Sequence, residues 1–206
     1  MSLYTVSKRV FDILLCIPAI IVLLPLFAVL TILIRLGSKG PAIFKQERAG
    51  KGGKAFVFYK FRTMKLNAEP FGPSPKSAAD PRLTRIGRFL REYSLDELPQ
   101  LYNIIKGDMS FVGPRPLYLT QIPEWNDRQK KRLLVLPGLT GLAQVSGRGE
   151  LTREEKLELD VKYVETAGLV MDLRILLATV GQVFGRKSIY EKRYSETEGT
   201  RGEHEE

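Results

Sequence analysis

An uncharged apolar run near the amino terminus constrains the fold of this chain more than any other feature. It reads ILLCIPAIIVLLPLFAVLTILI over residues 13–34, and Thr31 is its only clearly polar side chain. As a straight helix the run is about 33 Å long, and the hydrocarbon core of a bilayer is about 30 Å thick. The run therefore predicts a helix that enters or crosses a membrane. No small-residue cleavage motif follows it in GSKG, residues 37–40, which disfavours a cleaved signal peptide.

Pro18 and Pro25 divide the apolar run and complicate a simple spanning helix. Each removes a backbone donor and crowds the carbonyl four residues earlier, so each is expected to bend the helix, and their spacing puts both bends on nearly the same face. Lysine and arginine beside a membrane segment favour the cytoplasmic side. A re-entrant helix satisfies that preference at both ends and a spanning helix at only one, but the residues alone leave both topologies open. The flanking basic residues are Lys8, Arg9, Arg35 and Lys39.

The residue types that the chain lacks exclude several kinds of catalysis. It has one cysteine, Cys16, inside the apolar run, and one histidine, His204, near the carboxyl terminus. This excludes an intramolecular disulfide framework, Ser–His and Cys–His catalysis, and histidine-rich metal sites. A net charge of +9 at pH 7 favours anionic partners such as phosphates, nucleic acid or a lipid surface. Any chemistry must therefore use carboxylates, lysine, arginine, hydroxyls or a hard metal ion.

The segment after Gly40 has the pattern of a small folded domain. AIFKQER (42–48) and AFVFYKFR (55–62) are short runs of aromatic and branched residues on either side of a glycine-rich turn, which predicts a β-hairpin. Lys60 and Arg62 share one face of the second strand, where they either bind phosphate or face solvent. Apolar residues at helical spacing predict further helices over 83–93, 98–105, 151–165 and 169–184.

Arginines recur at every third residue from Arg82 to Arg91 on the helix over 83–93. The pattern is typical of an amphipathic helix that lies on anionic lipid headgroups. Arg91, the nearest of them to the paired acids described next, is the candidate for a role in a site. The fold class that follows is α+β and mostly helical, with an amino-terminal re-entrant or spanning membrane helix, a small β-hairpin and amphipathic interfacial helices.

Two adjacent acids, Asp96 and Glu97, lie in SLDELPQLYN, residues 94–103, of this basic chain. Pro99 is tolerated in a first helical turn, so the helix should begin near the acids, either with Ser94 and Glu97 as a capping box or with Asp96 as the cap. The acids could be a helix cap and nothing more. Alternatively, carboxylates can hold Mg²⁺ or attack phosphorus.

Two segments further along have properties suited to binding phosphate. Arg115 lies between Pro114 and Pro116, which fix the backbone on both sides and present its guanidinium rigidly, as bidentate phosphate recognition requires. The glycine-rich segment PGLTGLAQVSGRG, residues 137–149, would let backbone amides approach an anion closely. It lacks the spacing of a Walker loop or a dinucleotide fingerprint, so the segment taken alone favours a loop without a ligand.

Four segments in this order resemble the monotopic phosphoglycosyl transferases, the bacterial sugar transferase family, in its minimal form, and the resemblance covers residues 7–185. Such enzymes transfer a phospho-sugar from a UDP-sugar to a polyprenyl phosphate, usually undecaprenyl phosphate, and release UMP. The resemblance implies a membrane helix over 1–39 and a catalytic domain over 40–186 on the cytosolic face of the bacterial inner membrane. Composition predicts an acidic, disordered tail over 187–206, because it has few apolar residues and, from Glu191 onward, six acids against three Lys or Arg. The segments are KRVFDILL, ERAGKGGKAFVFYKFRTM, RIGRFLREYSLDELPQLYNIIKGDMSFVGPRP and PGLTGLAQVSGRG.

The resemblance also assigns roles to residues. It implies that Asp96 is the nucleophile of a covalent phospho-sugar intermediate, that Glu97 supports it, and that Mg²⁺ is required and sits against both acids. The family's membrane helix is re-entrant and broken at a Ser-Pro pair, which here is Leu24-Pro25, and Pro18 would strengthen the bend. The residues expected to bind phosphate or the nucleotide-sugar are Lys60, Arg62, Arg91, Pro114, Arg115, Gly138, Thr140, Gln144 and Arg148.

Other functions remain open from the sequence. The same transfer could proceed by direct attack in a ternary complex, with Asp96 only binding metal. A non-enzymatic scaffold tethered to membrane lipid would also carry a basic face. A nucleic-acid partner is not expected, because no binding motif or aromatic–basic stacking pattern is present. The sequence does not identify the sugar, and it leaves open whether the chain forms a homo-oligomer.

Overall fold

The computed structural model describes residues 3–66, 68, 75 and 77–185, and it confirms the α+β, mostly helical fold class. The tail over 187–206 and most of the loop over 67–81 lie outside the described residues. The predicted hairpin and the last two predicted helices are present. The elements are α1 (Leu3–Gly37), β1 (Ile43–Ala49), β2 (Ala55–Phe61), α2 (Arg85–Glu92), α3 (Gln100–Lys106), β3 (Ser110–Val112), α4 (Asp127–Lys130), β4 (Gly138–Thr140), α5 (Leu142–Ser146), α6 (Arg153–Thr166) and α7 (Leu169–Gly185).

Helix α1 continues through both Pro18 and Pro25, so the structure does not have the predicted break of the helix at Leu24–Pro25. A proline removes only one hydrogen bond from a helix, and the bonds on either side remain. Packing also holds both halves of α1 against the rest of the chain. Residues before Pro25 pack on a cluster that contains Phe58 and Ile104, and residues after it pack on a cluster that contains Phe61 and Leu90.

Both ends of α1 therefore contact the same body of the protein. Near its start, the Arg9 guanidinium donates to the carbonyls of Ile104 at 2.5 Å and Ile105 at 2.7 Å, the carbonyls at the end of α3. Near its end, Leu30 and Ile34 are buried in the second cluster. A helix that crossed a bilayer while packed along this body would carry the body into the hydrocarbon with it. Packing at both ends favours a position of α1 at the membrane face.

The opposite face of α1 is apolar and exposed. Within the part of the chain that the structure describes, α1 is the one helix long and apolar enough to cross a membrane. Soluble monomers rarely expose a continuous apolar patch of this size, so this face fits contact with lipid. Its exposed large side chains include Leu14, Ile17, Ile21, Val22, Leu24, Val29, Ile32, Leu33 and Leu36.

Two small sheets position the remaining elements. Strands β1 and β2 pair antiparallel from Ile43↔Phe61 to Ala49↔Ala55, as the hairpin prediction required. Strands β3 and β4 pair in parallel, with Ser110 opposite Gly138. A Cβ on Gly138 would lie 2.1 Å from the nitrogen of Gly113, so the close approach of these two segments requires glycine. The pairing brings the proline-flanked arginine beside the glycine-rich segment, although 23 residues separate Arg115 from Gly138 in the sequence.

The prediction of a buried apolar stripe along the helix over 98–105 is partly wrong. Leu101 is buried, but Tyr102 is 56% exposed and Ile105 is 37% exposed. Asn103 occupies the buried face instead, because its amide is fully bonded to β2. Its Oδ1 accepts from the nitrogen of Tyr59 at 3.2 Å, and its Nδ2 donates to the carbonyl of Val57 at 2.7 Å. These bonds fix α3, and with it the acids that precede α3, against the hairpin.

Candidate active site

The paired acids lie in a single 3-10 turn, Leu95–Glu97, rather than in the first turn of an α-helix. Ser94 precedes the turn in the left-handed conformation at φ 56°, and its side chain makes no capping bond, so both predicted caps are wrong. The α-helix itself begins only at Gln100, after Pro99. The turn aims the two carboxylates away from α3, toward β2 and the segment that follows β3.

Asp96 is nearly inaccessible to solvent, with 7% of its surface exposed. Burial, followed by the negative charge of Glu97, raises the pKa of Asp96. Burial acts on Glu97 in the same direction, but Arg115, Arg148 and Lys60 together outweigh it, and the net pKa of Glu97 is lowered. The charge of Glu97 is thus neutralised by Arg115. The ionised form of Asp96, in contrast, would be stabilised by a cation that binds at the site.

Arg115 binds Glu97 with both of its terminal nitrogens. Nη2 donates to Oε1 at 2.8 Å and Nη1 donates to Oε2 at 3.2 Å. Bidentate pairing of this kind fixes the guanidinium plane. Arg132 holds the backbone of the same residue, because its Nη2 donates to the carbonyl of Arg115 at 2.6 Å while its guanidinium pairs with buried Asp160 at 2.8 Å.

Four basic residues act on the dyad electrostatically: Lys60, Arg91, Arg115 and Arg148. Four cations against two carboxylates leave an excess of two positive charges at the site. Such an excess, held partly away from water, suits the binding of a diphosphate. The cations come from β2, α2, the segment after β3 and the turn after α5, so only the folded chain brings them together.

The pKa values of Lys60 and Arg148 are both lowered. Burial lowers the pKa of Lys60 to about 8, and the neighbouring arginines act in the same direction. Its Nζ lies 5.3 Å from the centre of the Phe44 ring. Burial also lowers the pKa of Arg148, whose Nη2 donates to the Ser94 hydroxyl at 2.9 Å. Both cations are therefore costly to hold without an anion beside them.

Arg62 does not join this cluster, contrary to the sequence-based expectation. It is buried, and its guanidinium donates to the carbonyls of Lys39 at 2.5 Å and Ser38 at 2.8 Å and to the Ser38 hydroxyl at 2.9 Å. These acceptors lie just beyond the last turn of α1. Strand alternation predicted one face for Lys60 and Arg62, but β2 ends at Phe61, and Arg62 binds backbone carbonyls just beyond the end of α1.

The glycine-rich segment contributes mainly through its backbone and through Arg148. The nitrogen of Gly138 donates to the carbonyl of Pro114 at 2.9 Å, and the Thr140 hydroxyl shares a 2.7 Å hydrogen bond with Thr179 of α7. Thr140 therefore points to α7, so the predicted contact of its side chain with phosphate is replaced by a structural one. The amide of Gln144 is buried and has no hydrogen-bond partner among the described residues.

Sequence reasoning missed three residues that support the site: Ser94, Arg132 and Asp160. Asp160 gave a signal, because it lies on the buried face of α6 between Leu157 and Val161, where an unpaired acid would be costly. Nothing in the local sequence of Arg132 indicates its partner 28 residues away. Ser94 was considered only as a cap.

The dyad fits Mg²⁺ by the chemistry of its donors. Within the described residues no group of three or more His, Cys, Asp or Glu side chains could hold a metal ion. Mg²⁺ commonly takes only one or two protein carboxylates together with substrate phosphates, and two adjacent carboxylates supply that. Asp96, the acid not paired with arginine, is the better placed of the two. The requirement for Mg²⁺ stays a prediction.

Several known proteins are similar to this chain over two thirds or more of its length. A family model described as bacterial sugar transferase matches residues 3–186. The chain is 41% identical over 194 residues to the uncharacterized sugar transferase EpsL of Bacillus subtilis, covering 92% of this chain and 93% of EpsL. It is 45% identical over 153 residues to the galactosyl transferase CpsE of Streptococcus agalactiae, covering 68% of this chain and 34% of CpsE. It is 38% identical over 197 residues to the UDP-glucose:undecaprenyl-phosphate glucose-1-phosphate transferase of Xanthomonas campestris, covering 91% of this chain and 40% of that enzyme.

Proposed function

Since the chain belongs to the bacterial sugar transferase family, we propose that it transfers a phospho-sugar from a UDP-sugar to a polyprenyl phosphate and releases UMP. The names of relatives from Xanthomonas, Caulobacter and Salmonella support undecaprenyl phosphate as the acceptor. The observation that carries the proposal is the buried Asp96 beside Glu97, within an excess of two positive charges. That arrangement fits a diphosphate that is to be attacked by a carboxylate.

In the first half of the proposed reaction, a carboxylate oxygen of Asp96 attacks the β-phosphorus of the UDP-sugar. A bond forms between that oxygen and phosphorus, and the bond from phosphorus to the UMP oxygen breaks. The negative charge of the diphosphate opposes this attack, so the surrounding cations must neutralise it. Lys60, Arg91 and Arg148 supply that charge, while Arg115 keeps Glu97 from adding to the repulsion.

In the second half, an oxygen of the lipid phosphate attacks the phosphorus now bound to Asp96. The new bond yields a polyprenyl-diphosphate sugar, and the bond to Asp96 breaks and returns its carboxylate. The lipid phosphate is already anionic, so this step needs little general-base help. It does need the lipid headgroup delivered at the membrane face, which the exposed apolar side of α1 would achieve.

Mg²⁺ is part of the proposal, with Asp96 and Glu97 as the residues that would hold it. When bound, the ion would neutralise diphosphate charge and stabilise the departing UMP. The residues themselves do the rest: Arg115 orients Glu97, and Asp96 provides the attacking oxygen. The burial of Asp96 limits the access of water to the bond between Asp96 and phosphorus.

A screen for UMP release tests the proposed function. The full chain in detergent micelles or nanodiscs is incubated with undecaprenyl phosphate, Mg²⁺ and single UDP-sugars, starting with UDP-glucose and UDP-galactose. We expect UMP release with at least one UDP-sugar, dependent on the lipid phosphate beyond the first turnover. Absence of UMP with every UDP-sugar would contradict the proposal.

We propose further that α1 lies in the cytosolic face of the inner membrane without crossing it, so that both of its ends are on that side. Cysteines introduced at Leu3 and Lys39, both exposed, should react with a membrane-impermeant maleimide from the same side of sealed vesicles. The native Cys16 is fully buried and serves as an unreactive internal control. Labelling of the two positions from opposite sides would mean that α1 spans the bilayer.

The depressed pKa of Lys60 predicts a pH dependence of substrate affinity. As pH rises through about 8, Lys60 loses its charge, and we expect the KM for the UDP-sugar to rise about three- to tenfold between pH 7 and 9. Lys60→Arg should flatten this rise, because a guanidinium stays charged over that range. Lys54→Arg, at the exposed end of the hairpin, should keep the wild-type profile.

As pH rises, the affinity for the UDP-sugar should fall while the folding stability contributed by Lys60 rises. The opposite signs separate the two effects. The folded pKa of about 8 lies below the ordinary value of 10.5 for lysine, so the unfolded chain binds more protons between these values. Stability from this group therefore rises with pH across that window. A KM that falls or stays constant from pH 7 to 9 in the wild type would contradict a binding role for the charged Lys60.

A further inference from the structure

Two residues in the site have a backbone conformation that side chains normally avoid. Among the described residues, Ser94 at φ 56° and Arg148 at φ 51° are the non-glycine residues with positive φ. The left-handed region is costly for residues with a Cβ, and such outliers concentrate at functional sites. These two lie 54 residues apart in the sequence, yet Nη2 of Arg148 donates to Oγ of Ser94 at 2.9 Å.

Ser94 follows the end of α2, at a position where glycine is the usual residue. Helices often end with a left-handed residue just past the cap, and that residue is usually glycine. Helix α3 follows this rule, with Gly107 at φ 92°. Helix α2 ends with Tyr93 as its cap and then Ser94 in the left-handed region. The left-handed conformation at position 94 would favour glycine. Serine is there instead, so its side chain must contribute something that glycine cannot.

The hydroxyl of Ser94 has a contact that supplies this reason. It accepts a hydrogen bond from the half-buried guanidinium of Arg148 and so holds that group in place. The charge of this guanidinium acts on both Glu97 and Asp96. The hydroxyl does not cap the acidic turn, so the bond to Arg148 is its contribution to this part of the structure. Arg148 itself sits in a three-residue 3-10 turn, Arg148–Glu150, that could not hold a long side chain in one orientation unaided.

We propose that Ser94 is a positioning residue, which orients Arg148 toward the phosphates of the UDP-sugar. This inference rests on the proposed function and adds to it a residue that does not contact the reacting atoms. The strained backbone at both positions is then the cost of holding the guanidinium where the diphosphate binds. Removing the hydroxyl should weaken nucleotide binding more than it slows the chemical step.

The variant Ser94→Gly separates this role from a structural one, because it removes the hydroxyl and relieves the backbone strain together. We expect its melting temperature to equal or exceed that of the wild type. We expect the KM for the UDP-sugar, and the Kd for UMP measured by calorimetry, to rise about tenfold, which is the size of one hydrogen bond to a charged group. The kcat should change by less than about threefold.

Two further variants complete the design. Ser94→Ala should weaken UMP binding equally but lower the melting temperature, because it loses the hydrogen bond to Arg148 and, unlike glycine, does not relieve the backbone strain. In an Arg148→Met background, Ser94→Gly should cause no further loss, since the bond is already absent. Thr166→Ala, which removes an exposed hydroxyl from the end of α6, should alter neither binding nor melting temperature.

The outcomes distinguish this inference from the proposed function. No UMP release and no UMP binding by the wild type would overturn the proposed function, and this inference with it. An active wild type together with normal KM and UMP affinity in Ser94→Gly would overturn only the role of Ser94. A lower melting temperature in Ser94→Gly, or a full additional loss in the Arg148→Met background, would equally overturn it.

Discussion

Asp96→Asn is expected to abolish phospho-sugar transfer, lowering kcat by a factor of about 10³ or more. The amide has almost the same shape as the carboxylate, so it should fit the 3-10 turn without disturbing the fold. It carries no negative charge and is a poor nucleophile toward phosphorus. The adjacent carboxylate, Glu97, is bound through both of its oxygens by Arg115, so we do not expect it to replace Asp96 as the nucleophile.

Intact-protein mass spectrometry gives the more direct measurement. Wild-type protein incubated with UDP-sugar and Mg²⁺, without lipid phosphate, should gain the mass of one phospho-sugar, and Asp96→Asn should gain nothing. The matched control is Asp127→Asn, which makes the same change at an exposed residue in the first turn of α4 and should behave as wild type. Full UMP release by a wild type that never carries the adduct would favour direct attack in a ternary complex. Wild-type turnover by Asp96→Asn would contradict every mechanism in which this carboxylate acts.

Local chemistry made the hairpin and the dyad predictable from sequence. The glycine-rich turn between two aromatic strands defined β1 and β2 almost to the residue, because both signals are local. Arg115 stood out for the same reason, with a proline on each side. The paired acids were recognised as a candidate site, but their turn type was not, because Pro99 allows more than one helix start.

Long-range contacts account for what the sequence could not predict. Strand alternation predicted one face for Lys60 and Arg62, and only the position of the end of α1 decides that Arg62 binds the carbonyls of Lys39 and Ser38. The buried pair of Arg132 and Asp160 depends on the packing of α6 against the segment before β4. The partners in each contact are more than twenty residues apart, so a sequence window of ten or twenty residues does not contain both of them.

Helix α1 also forms hydrogen bonds to the elements around the candidate site. Asp12, buried on its inner face, accepts from the Ser110 hydroxyl at 3.0 Å and from the nitrogen of Phe111 at 3.0 Å, at the start of β3. The end of β3 leads directly to Arg115, and Arg9 of the same helix holds the end of α3. Helix α1 thus contacts β3 and α3, the elements next to the two partners of the ion pair between Arg115 and Glu97. The apolar helix and the position of the candidate site are therefore linked through direct contacts.

That ion pair underlies the second large effect. Arg115→Lys keeps the positive charge but replaces a planar fork with a single ammonium, which cannot bond both Oε1 and Oε2 of Glu97 in the same geometry. We expect kcat/KM to fall by roughly 10- to 100-fold, a range that allows for the 42% exposure of the Arg115 side chain. Arg115→Met should lose more, because Glu97 then keeps its charge without a partner and repels the incoming diphosphate.

Arg128→Lys is the matched control, because Arg128 also pairs through its guanidinium with glutamates, Glu158 and Glu165, but is 51% exposed and far in sequence from the dyad. Surface pairs of this kind contribute about 0–1 kcal/mol, so this variant should keep wild-type kcat/KM. The melting temperature of Arg115→Lys should stay close to that of the wild type, since a positive charge remains beside Glu97 and Arg132 continues to hold the backbone carbonyl of residue 115. If Arg115→Lys matched the wild type in kcat/KM, the bidentate geometry would be irrelevant, and charge alone at this position would be sufficient for transfer.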